Sequence, residues 1–377
     1  MGQKIITAKN GYSEFDEWLK KASAKKVLLV CDDSIRFMND FDSHLHTLEA
    51  GNTEFVRFKD FQPNPLYENV MDGVRVFRDR GCDSIMAVGG GSAMDVAKCI
   101  KAYAKMQGSG ECGEWLDKPI ETNSIHFLAM PTTAGTGSEA TRYAVIYFEG
   151  KKQSVTSDSF IPEAVLMDPS VLKTLPLYQK KATMMDAFSH ALESFWSVNS
   201  TEESKEYSKK AIKGILRHMK GYLANTEEGN AGMLKAAHIA GKAINITQTT
   251  AGHAMCYKIT SLFGCAHGHA AALCDRVLFS YMTEHTSECI DKRGEKYLRS
   301  VLDEIGMAMG CKDGINGAKK FCRIFDSLEL EVPAASDQEF EELKNSVNPD
   351  RLKNHPIALD IDTIDALYHE ILKGKQK

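Results

Sequence analysis

Short apolar runs alternate with amphipathic stretches through the first half of the chain. Val27 to Cys31 (VLLVC) reads as a buried strand, Ser34 to Glu49 as a helix and Glu54 to Phe58 as a second strand. A helical stretch begins at Asn64 and is closed by Gly81. Ser84 to Val88 is a third strand that runs straight into Gly89-Gly90-Gly91, and a helix (MDVAKCIKAYA) and the strand His126 to Met130 follow. Strands alternating with helices predict a parallel sheet covered on both faces. Ala144 to Phe148, Gly150 and Gln153 to Thr156 predict an appended hairpin. Ala164 to Met167 predicts one more short strand.

The pattern changes at Leu175-Pro176. Beyond it the apolar positions recur at helical spacing, as in Ala182 to Val198, Glu203 to Leu223, Ala231 to Ile246 and Gly294 to Met309, and no convincing strand is visible. Pro176 suits a helix start. The expected organisation is an α/β dinucleotide-binding domain over residues 1–176 and an all-α metal- and substrate-binding domain over 177–377. The length of 377 residues fits two domains. The charged tail KGKQK is expected to fray.

Composition narrows the function by exclusion. Hydrophobic residues make up 43% and charged residues 26%, and the formal net charge is -5. There is no broad basic field for nucleic acid or an anionic membrane. There is no run of about 18 apolar residues to span a bilayer. The N-terminus lacks the apolar run of a signal peptide, and the ten cysteines include no CxxC pair. These features together predict a cytoplasmic protein with reduced thiols.

Three segments of the first half carry candidate chemistry. Val88 to Asp95 (VGGGSAMD) joins a strand to a helix. Glycines there let backbone N–H groups and a helix N-terminus approach a phosphate, although the same loop also reads as an ordinary glycine turn. It does not match GxGxxG. Pro131 to Glu139 (PTTAGTGSE) is a second glycine loop after a strand, crowded with hydroxyls. It is either the other wall of a dinucleotide cleft or a capping loop. Asp32 ends the first strand, where a carboxylate can accept from a ribose diol and repel a 2′-phosphate. It can equally cap the next helix.

The second half offers a cation site. Asp186 and His190 are four apart in MMDAFSHALESFW, on one helix face and among apolar residues. A carboxylate and an imidazole in such surroundings are costly unless paired or bound to a cation. His253, His267 and His269 come further along, and an aspartate with three of these four histidines makes a plausible divalent-metal shell. The bland alternative is a set of satisfied or solvated histidines.

Together these segments resemble the iron-containing (group III) alcohol dehydrogenase family. VGGGSAMDVAK is similar to its GGGS-x-x-D-x-AK loop and PTTAGTGSEAT to its P-T-T-x-G-T-G-S-E motif. DAFSHALES is similar to D-A-x-x-H-A-x-E. GHAMCYKITSLFGCAHGHAAAL resembles the G-x-x-H-x-M…PHG-x-A signature, including the 14-residue step from His253 to His267. The resemblance runs over most of the chain in the right order. It implies a dehydroquinate-synthase-like architecture, a small aldehyde or alcohol substrate, NAD rather than NADP, a divalent metal (iron or zinc) and a homo-oligomer. Asp186, His190, His253 and His267 match the metal ligands. Gly89, Gly90, Gly91, Ser92 and Asp95 match cofactor-loop positions, as do Thr132, Thr133 and Ser138. Lys152 matches a cofactor-side lysine, and Asp32 the position associated with NAD preference. Many members carry a second histidine four residues after the third ligand. Here Tyr257 stands there: it can still donate a hydrogen bond, so that the proton comes from it or from a water chain, or it only packs.

A narrower resemblance, over HALESFWSVNSTEESKEYSKKAI and AGKAINITQTTAGHAMCYKITSLFGCAHGHAAAL, is to phosphonoacetaldehyde reductases. Some relatives of that branch lack a full ligand set, whereas this chain keeps His190. A phosphonate would need a cation, for which Lys258 and Arg142 are the candidates. The alternatives are a general short-chain alcohol or diol dehydrogenase, a dehydroquinate-synthase-like lyase and a cofactor-binding protein without turnover.

Overall fold

The computed structural model describes residues 2–8 and 11–374. They form two compact units, Met1–Thr133 with Gly137–Leu175, and Ala134–Thr136 with Pro176–Lys377. The change of pattern seen at Leu175-Pro176 thus coincides with the main break in the chain, and three loop residues, 134–136, pack with the second unit.

The first unit is built on a parallel sheet of β1 (Lys4–Thr7), β2 (Lys26–Cys31), β3 (Glu54–Phe58), β4 (Ser84–Gly89), β5 (His126–Pro131) and β8 (Ala164–Met167), in the order β1-β8-β5-β4-β2-β3. Successive strand residues point to opposite faces. On β2 both alternating sets, Val27 and Leu29 on one face and Leu28 and Val30 on the other, are fully buried. Both faces are therefore covered, which is why these strands read as unbroken apolar runs. Leu28, Val30, Ile85, Ala87, Phe127 and Ala129 pack with α3 (Tyr67–Asp79), α4 (Gly91–Tyr103) and Trp115. α1 (Ser13–Lys21) and α2 (Asn39–Ala50) supply Phe15, Trp18, Phe41 and Leu45. The antiparallel hairpin β6 (Tyr143–Phe148) and β7 (Lys151–Thr156) is appended as expected.

Two expectations need correction. β1 is missing from the sequence reading because it is a four-residue edge strand in which only Ile6 is buried. The helix expected from Ser34 to Glu49 is broken. A 3₁₀ turn covers Asp33–Phe37, Met38 leaves helical geometry, and α2 begins at Asn39. Asp32 causes the early turn by accepting from the Ser34 N–H at 2.8 Å.

After β2 the chain moves outward to β3, then returns to β4 on the other side of β2 and continues outward to β5 and β8. The direction of winding reverses between β2 and β4. Ligands of open parallel sheets bind at the carboxyl ends of the strands at such a switch point. Asp32 and Gly89 stand at those two ends, one residue past the Cys31–Val88 register pair.

The second unit is helical: α5 (Leu177–Trp196), α6 (Glu202–Leu223), α7 (Glu227–Thr247), α8 (Ala251–Phe263), α9 (His267–Glu284), α10 (Glu295–Ala308), α11 (Gly314–Ser327), α12 (Asp337–Ser346), α13 (Pro349–Leu352) and α14 (Ile361–Ile371). α5 packs against α6, α7, α9 and α10. It is buried around most of its circumference, as expected of a helix at the centre of a bundle. The unit is not wholly without strand. β9 (Ala334–Ala335) pairs in parallel with β10 (Lys373–Gly374), too short to leave a pattern. Lys373 and Gly374 of the expected frayed tail are held in this way, and residues 375–377 lie outside the described chain. All ten cysteines are free thiols. No described helix is long and apolar enough to cross a membrane.

Candidate metal centre and cofactor loops

α5 presents Asp186, His190 and Glu193 at spacings of four and three, so they share one face. α8 brings His253 and α9 brings His267. The start of α9 lies against α5 because residue 268 is glycine. A β-carbon on Gly268 would stand 2.4 Å from Asp186 Cβ and 2.3 Å from the Ala182 carbonyl. This close approach carries His267 to Asp186.

The ligand atoms of Asp186, His253 and His267 lie within 4.8 Å of one another. Asp186 Oδ1 is 3.5 Å from His253 Nε2 and 3.9 Å from His190 Nε2. The rings of His190 and His253 stack with centroids 4.6 Å apart. Asp186 Oδ1 and His253 Nε2 are buried and have no hydrogen-bond partner among the described residues. Two buried polar atoms that face each other without a partner require an explanation, and a divalent cation fits it. An oxygen and imidazole donor set suits iron or zinc alike.

The surroundings support that fit. His253 Nδ1 donates to Glu193 Oε1, which leaves Nε2 as the lone-pair donor. Glu193 is fully buried and also accepts from the Thr250 hydroxyl at 2.8 Å and the Thr250 N–H at 2.5 Å. Cys256 Sγ lies 3.6 Å from His267 Nδ1. Burial opposes ionisation of Asp186, but the rings of His190, His253 and His267 hold its carboxyl well below the usual range. Burial likewise opposes the His253 imidazolium, yet Glu193 and Asp186 raise its pKa to about 10. His190 is pushed down by burial, against the pull of Asp186.

His269 does not join this group. Two residues beyond His267 on α9 it faces elsewhere, with Nδ1 3.2 Å from Tyr178 Oη and its ring against Phe325. Tyr257, one helical turn after His253, stacks on His267 with centroids 5.5 Å apart. Lys258 requires a correction. It lies five residues after His253, about 140° around the helix, and its ammonium pairs with Glu342 on α12 instead of turning to the ligands. Glu193 was missed in the sequence as a functional residue, although its helical spacing from Asp186 was visible.

In the first unit the expected cofactor residues fall into two groups. Asp32 Oδ2 is 3.4 Å from the point where a β-carbon would stand on Gly89, and Thr133 is 3.6 Å from the same point on Gly90. The Thr132 N–H donates to the Gly89 carbonyl at 3.0 Å. Gly90 caps α4, whose first turn contains Gly91 and Ser92. The two loops therefore meet at the switch point. The second group braces them. Asp95 accepts from Ser138 Oγ and from the Val145 N–H, each at 3.0 Å. Lys98, fully buried, donates to the Ser138 carbonyl at 2.7 Å, Ser138 Oγ at 2.9 Å and the Tyr143 carbonyl at 2.7 Å. Burial brings Lys98 down to about 8, against the charge of Asp95. Asp95 and Ser138, expected at the cofactor, are engaged in joining one loop to the other. Lys152 on β7 lies within electrostatic reach of Asp95. Arg142 pairs with Asp158 at 3.4 Å.

A nucleotide-type sheet and a helical cation site in one chain define a class, the metal-dependent, dinucleotide-linked oxidoreductases. Comparison with known proteins makes it specific. Residues 2–169 match the model of the iron-containing alcohol dehydrogenases, and residues 180–371 that of the C-terminal part of the Fe-containing alcohol dehydrogenase family. The chain is 32% identical to a 1,3-propanediol dehydrogenase of Klebsiella pneumoniae over 70% of either protein. It is 29% identical to alcohol dehydrogenase 4 of Schizosaccharomyces pombe over 82% of this chain and 71% of that one. Among solved structures, sulfoacetaldehyde reductase from Bifidobacterium kashiwanohense in complex with NAD+ superposes with a TM-score of 0.86 at 25% identity, covering 98% of this chain and 96% of that one. The chain belongs to the iron-containing alcohol dehydrogenase family. It is an oxidoreductase acting on CH–OH groups, an alcohol or diol dehydrogenase of the iron type with NAD and a divalent metal as cofactors. The lyase and non-catalytic readings are left without support.

Proposed function

We propose that the chain reduces a short polar aldehyde to its alcohol, specifically phosphonoacetaldehyde to 2-hydroxyethylphosphonate, in the cytoplasm and as a homo-oligomer. The observation that carries the catalytic reading is the pair of buried, unpartnered donor atoms, Asp186 Oδ1 and His253 Nε2, within reach of His267. When bound, the metal supplies Lewis acidity toward a carbonyl oxygen and the nicotinamide supplies the reducing equivalent. Asp186, His190, His253 and His267 hold the metal, and Glu193 keeps His253 in the tautomer that can bind it. Tyr257 Oη is the proton donor at the product oxygen, from its place on the ring of His267. Gly89, Gly90, Gly91, Ser92, Thr132 and Thr133 receive the dinucleotide, Lys152 faces it, and Asp32 disfavours a 2′-phosphate.

The sulfoacetaldehyde reductase neighbour supports an anionic two-carbon substrate. Such a head group needs a cation. With Lys258 turned to Glu342, the remaining candidate is Arg142, which sits in a partly exposed ion pair with Asp158. Pairs of that kind hold by about 1 kcal/mol or less, so an anionic substrate displaces the partner at little cost. The 1,3-propanediol dehydrogenase relative favours a second reading, a diol dehydrogenase with no anion preference.

A panel of phosphonoacetaldehyde, sulfoacetaldehyde and propanal with NADH and NADPH separates these readings. The proposal expects kcat/KM for phosphonoacetaldehyde at least tenfold above that for propanal, about 1.4 kcal/mol, and NADH preferred. Arg142→Ala should remove much of that difference, and Asp32→Ala should lower KM for NADPH. Equal turnover of neutral and anionic aldehydes would reject the phosphonate and leave the diol reading.

A further inference from the structure

Beside Glu193 a second acid is buried in the helical unit. Asp275 on α9 is fully enclosed. Neither of its oxygens has a hydrogen-bond donor among the described residues. The polar groups facing it are the Ser189 hydroxyl and the Glu193 carboxylate. The two acids meet over Gly252. A β-carbon there would stand 2.0 Å from Asp275 Oδ1 and 2.8 Å from Glu193 Oε1, so only glycine leaves room for the pair. Glu193 Oε1 is the oxygen that accepts from His253 Nδ1.

Two carboxyl groups in one dry site do not both ionise. Glu193 has Thr250, the His253 N–H and the His253 ring to stabilise its anion. Asp275 has no N–H donor, and burial followed by the charge of Glu193 raises it well above the usual carboxylate range. The proton therefore resides on Asp275, and of the two groups facing it Glu193 is the charged, stronger acceptor.

We infer that Asp275 is a positioning residue for the metal centre: its carboxyl group donates to Glu193 and fixes the carboxylate that orients His253. It touches neither metal nor substrate and acts through two intervening side chains. Direct partners of a metal-bound histidine, as Glu193 is here, typically change metal affinity by about 10- to 100-fold, and Asp275, one step further out, stands at the low end of that range.

The test uses the full-length protein stripped of metal and titrated with Co2+, whose visible absorption reports ligand geometry. Co2+ binding by the wild type is the control. Failure there refutes the metal centre itself and is distinct from failure of this inference. Asp275→Asn keeps the shape and offers an N–H to Glu193 in place of the acid proton. It should bind Co2+ within about threefold of wild type and give the same spectrum. Asp275→Ala offers no donor. It should bind about tenfold more weakly, the low end of the range for a direct partner, with an altered spectrum, while retaining the circular dichroism of the wild-type apo-protein. An Ala variant that binds as wild type, or an Asn variant as weak as Ala, overturns the inference. If the Ala variant does not fold, Asn decides alone. Unchanged binding agrees with a neutral donor, whereas tighter binding, the mark of a relieved buried anion, refutes it.

Discussion

Buried ionisable residues of the helical unit, among them His253, Asp275 and His355, feel the charge of Glu193. His355 is the clearest case. It is fully buried, neither ring nitrogen has a partner among the described residues, and burial lowers its pKa from 6.5 to about 4 against the pull of Glu193. An unfolded histidine titrates near 6.5. Between pH 6.5 and about 4 the unfolded chain takes up a proton that the folded chain refuses. The stability tied to this residue is present above pH 6.5 and is lost as pH falls through that window, by up to about 1.4 kcal/mol per unit. The apo-protein's melting temperature should therefore fall more steeply from pH 6.5 to 4.5 in wild type than in His355→Leu, and parallel curves would contradict this. At this scale the sequence was informative where helical spacing sets the geometry. Asp186 and His190 share a face because they are four apart. Tyr257 reaches His267 because it lies one turn after His253. The same arithmetic turns Lys258 about 140° away from His253, toward Glu342. Asp275 was not legible, since nothing local relates α9 to Glu193 across 82 residues of chain.

Among elements, the two glycine loops are held by the helix that follows the first of them. Asp95 and Lys98 lie three apart on α4 and reach across to Ser138 and the start of β6. Asp95→Ala would leave the Val145 N–H and the Lys98 ammonium without their acceptor and counter-charge. A loss of about 2 kcal/mol is expected for such orphaned groups, together with a several-fold rise in KM for NADH and little change in metal content. Denaturant unfolding and initial-rate kinetics check this. An unchanged KM would show that the brace does not shape the cofactor loops. The strands were readable because sheets covered on both faces demand continuous apolar runs. β1 and the Asp33–Phe37 turn were not. An edge strand with one buried residue carries no periodicity, and a capping interaction two residues long outweighed the helical pattern that follows it.

At the scale of the molecule, the change from strand-and-helix alternation to helices alone at Leu175-Pro176 marks the division of labour. One unit carries the glycine loops at the sheet's switch point, the other the candidate cation site built from α5, α8 and α9. The topology of the sheet could not be read from the chain, because strand order depends on which crossovers pack, yet the loops at the switch point could be, because glycines and hydroxyls are dictated by the ligand's backbone contacts. The central claim is that Asp186, His190, His253 and His267 together bind one divalent cation. Metal analysis of purified wild type and His267→Ala, alongside the melting temperature of each apo-protein, tests it directly. The account predicts about one equivalent of iron or zinc in wild type. It predicts at least a tenfold loss of affinity in the variant, as expected for a deleted ligand, with the apo melting temperatures alike and NADH-linked aldehyde reduction abolished. Full metal occupancy and full turnover in His267→Ala would contradict it.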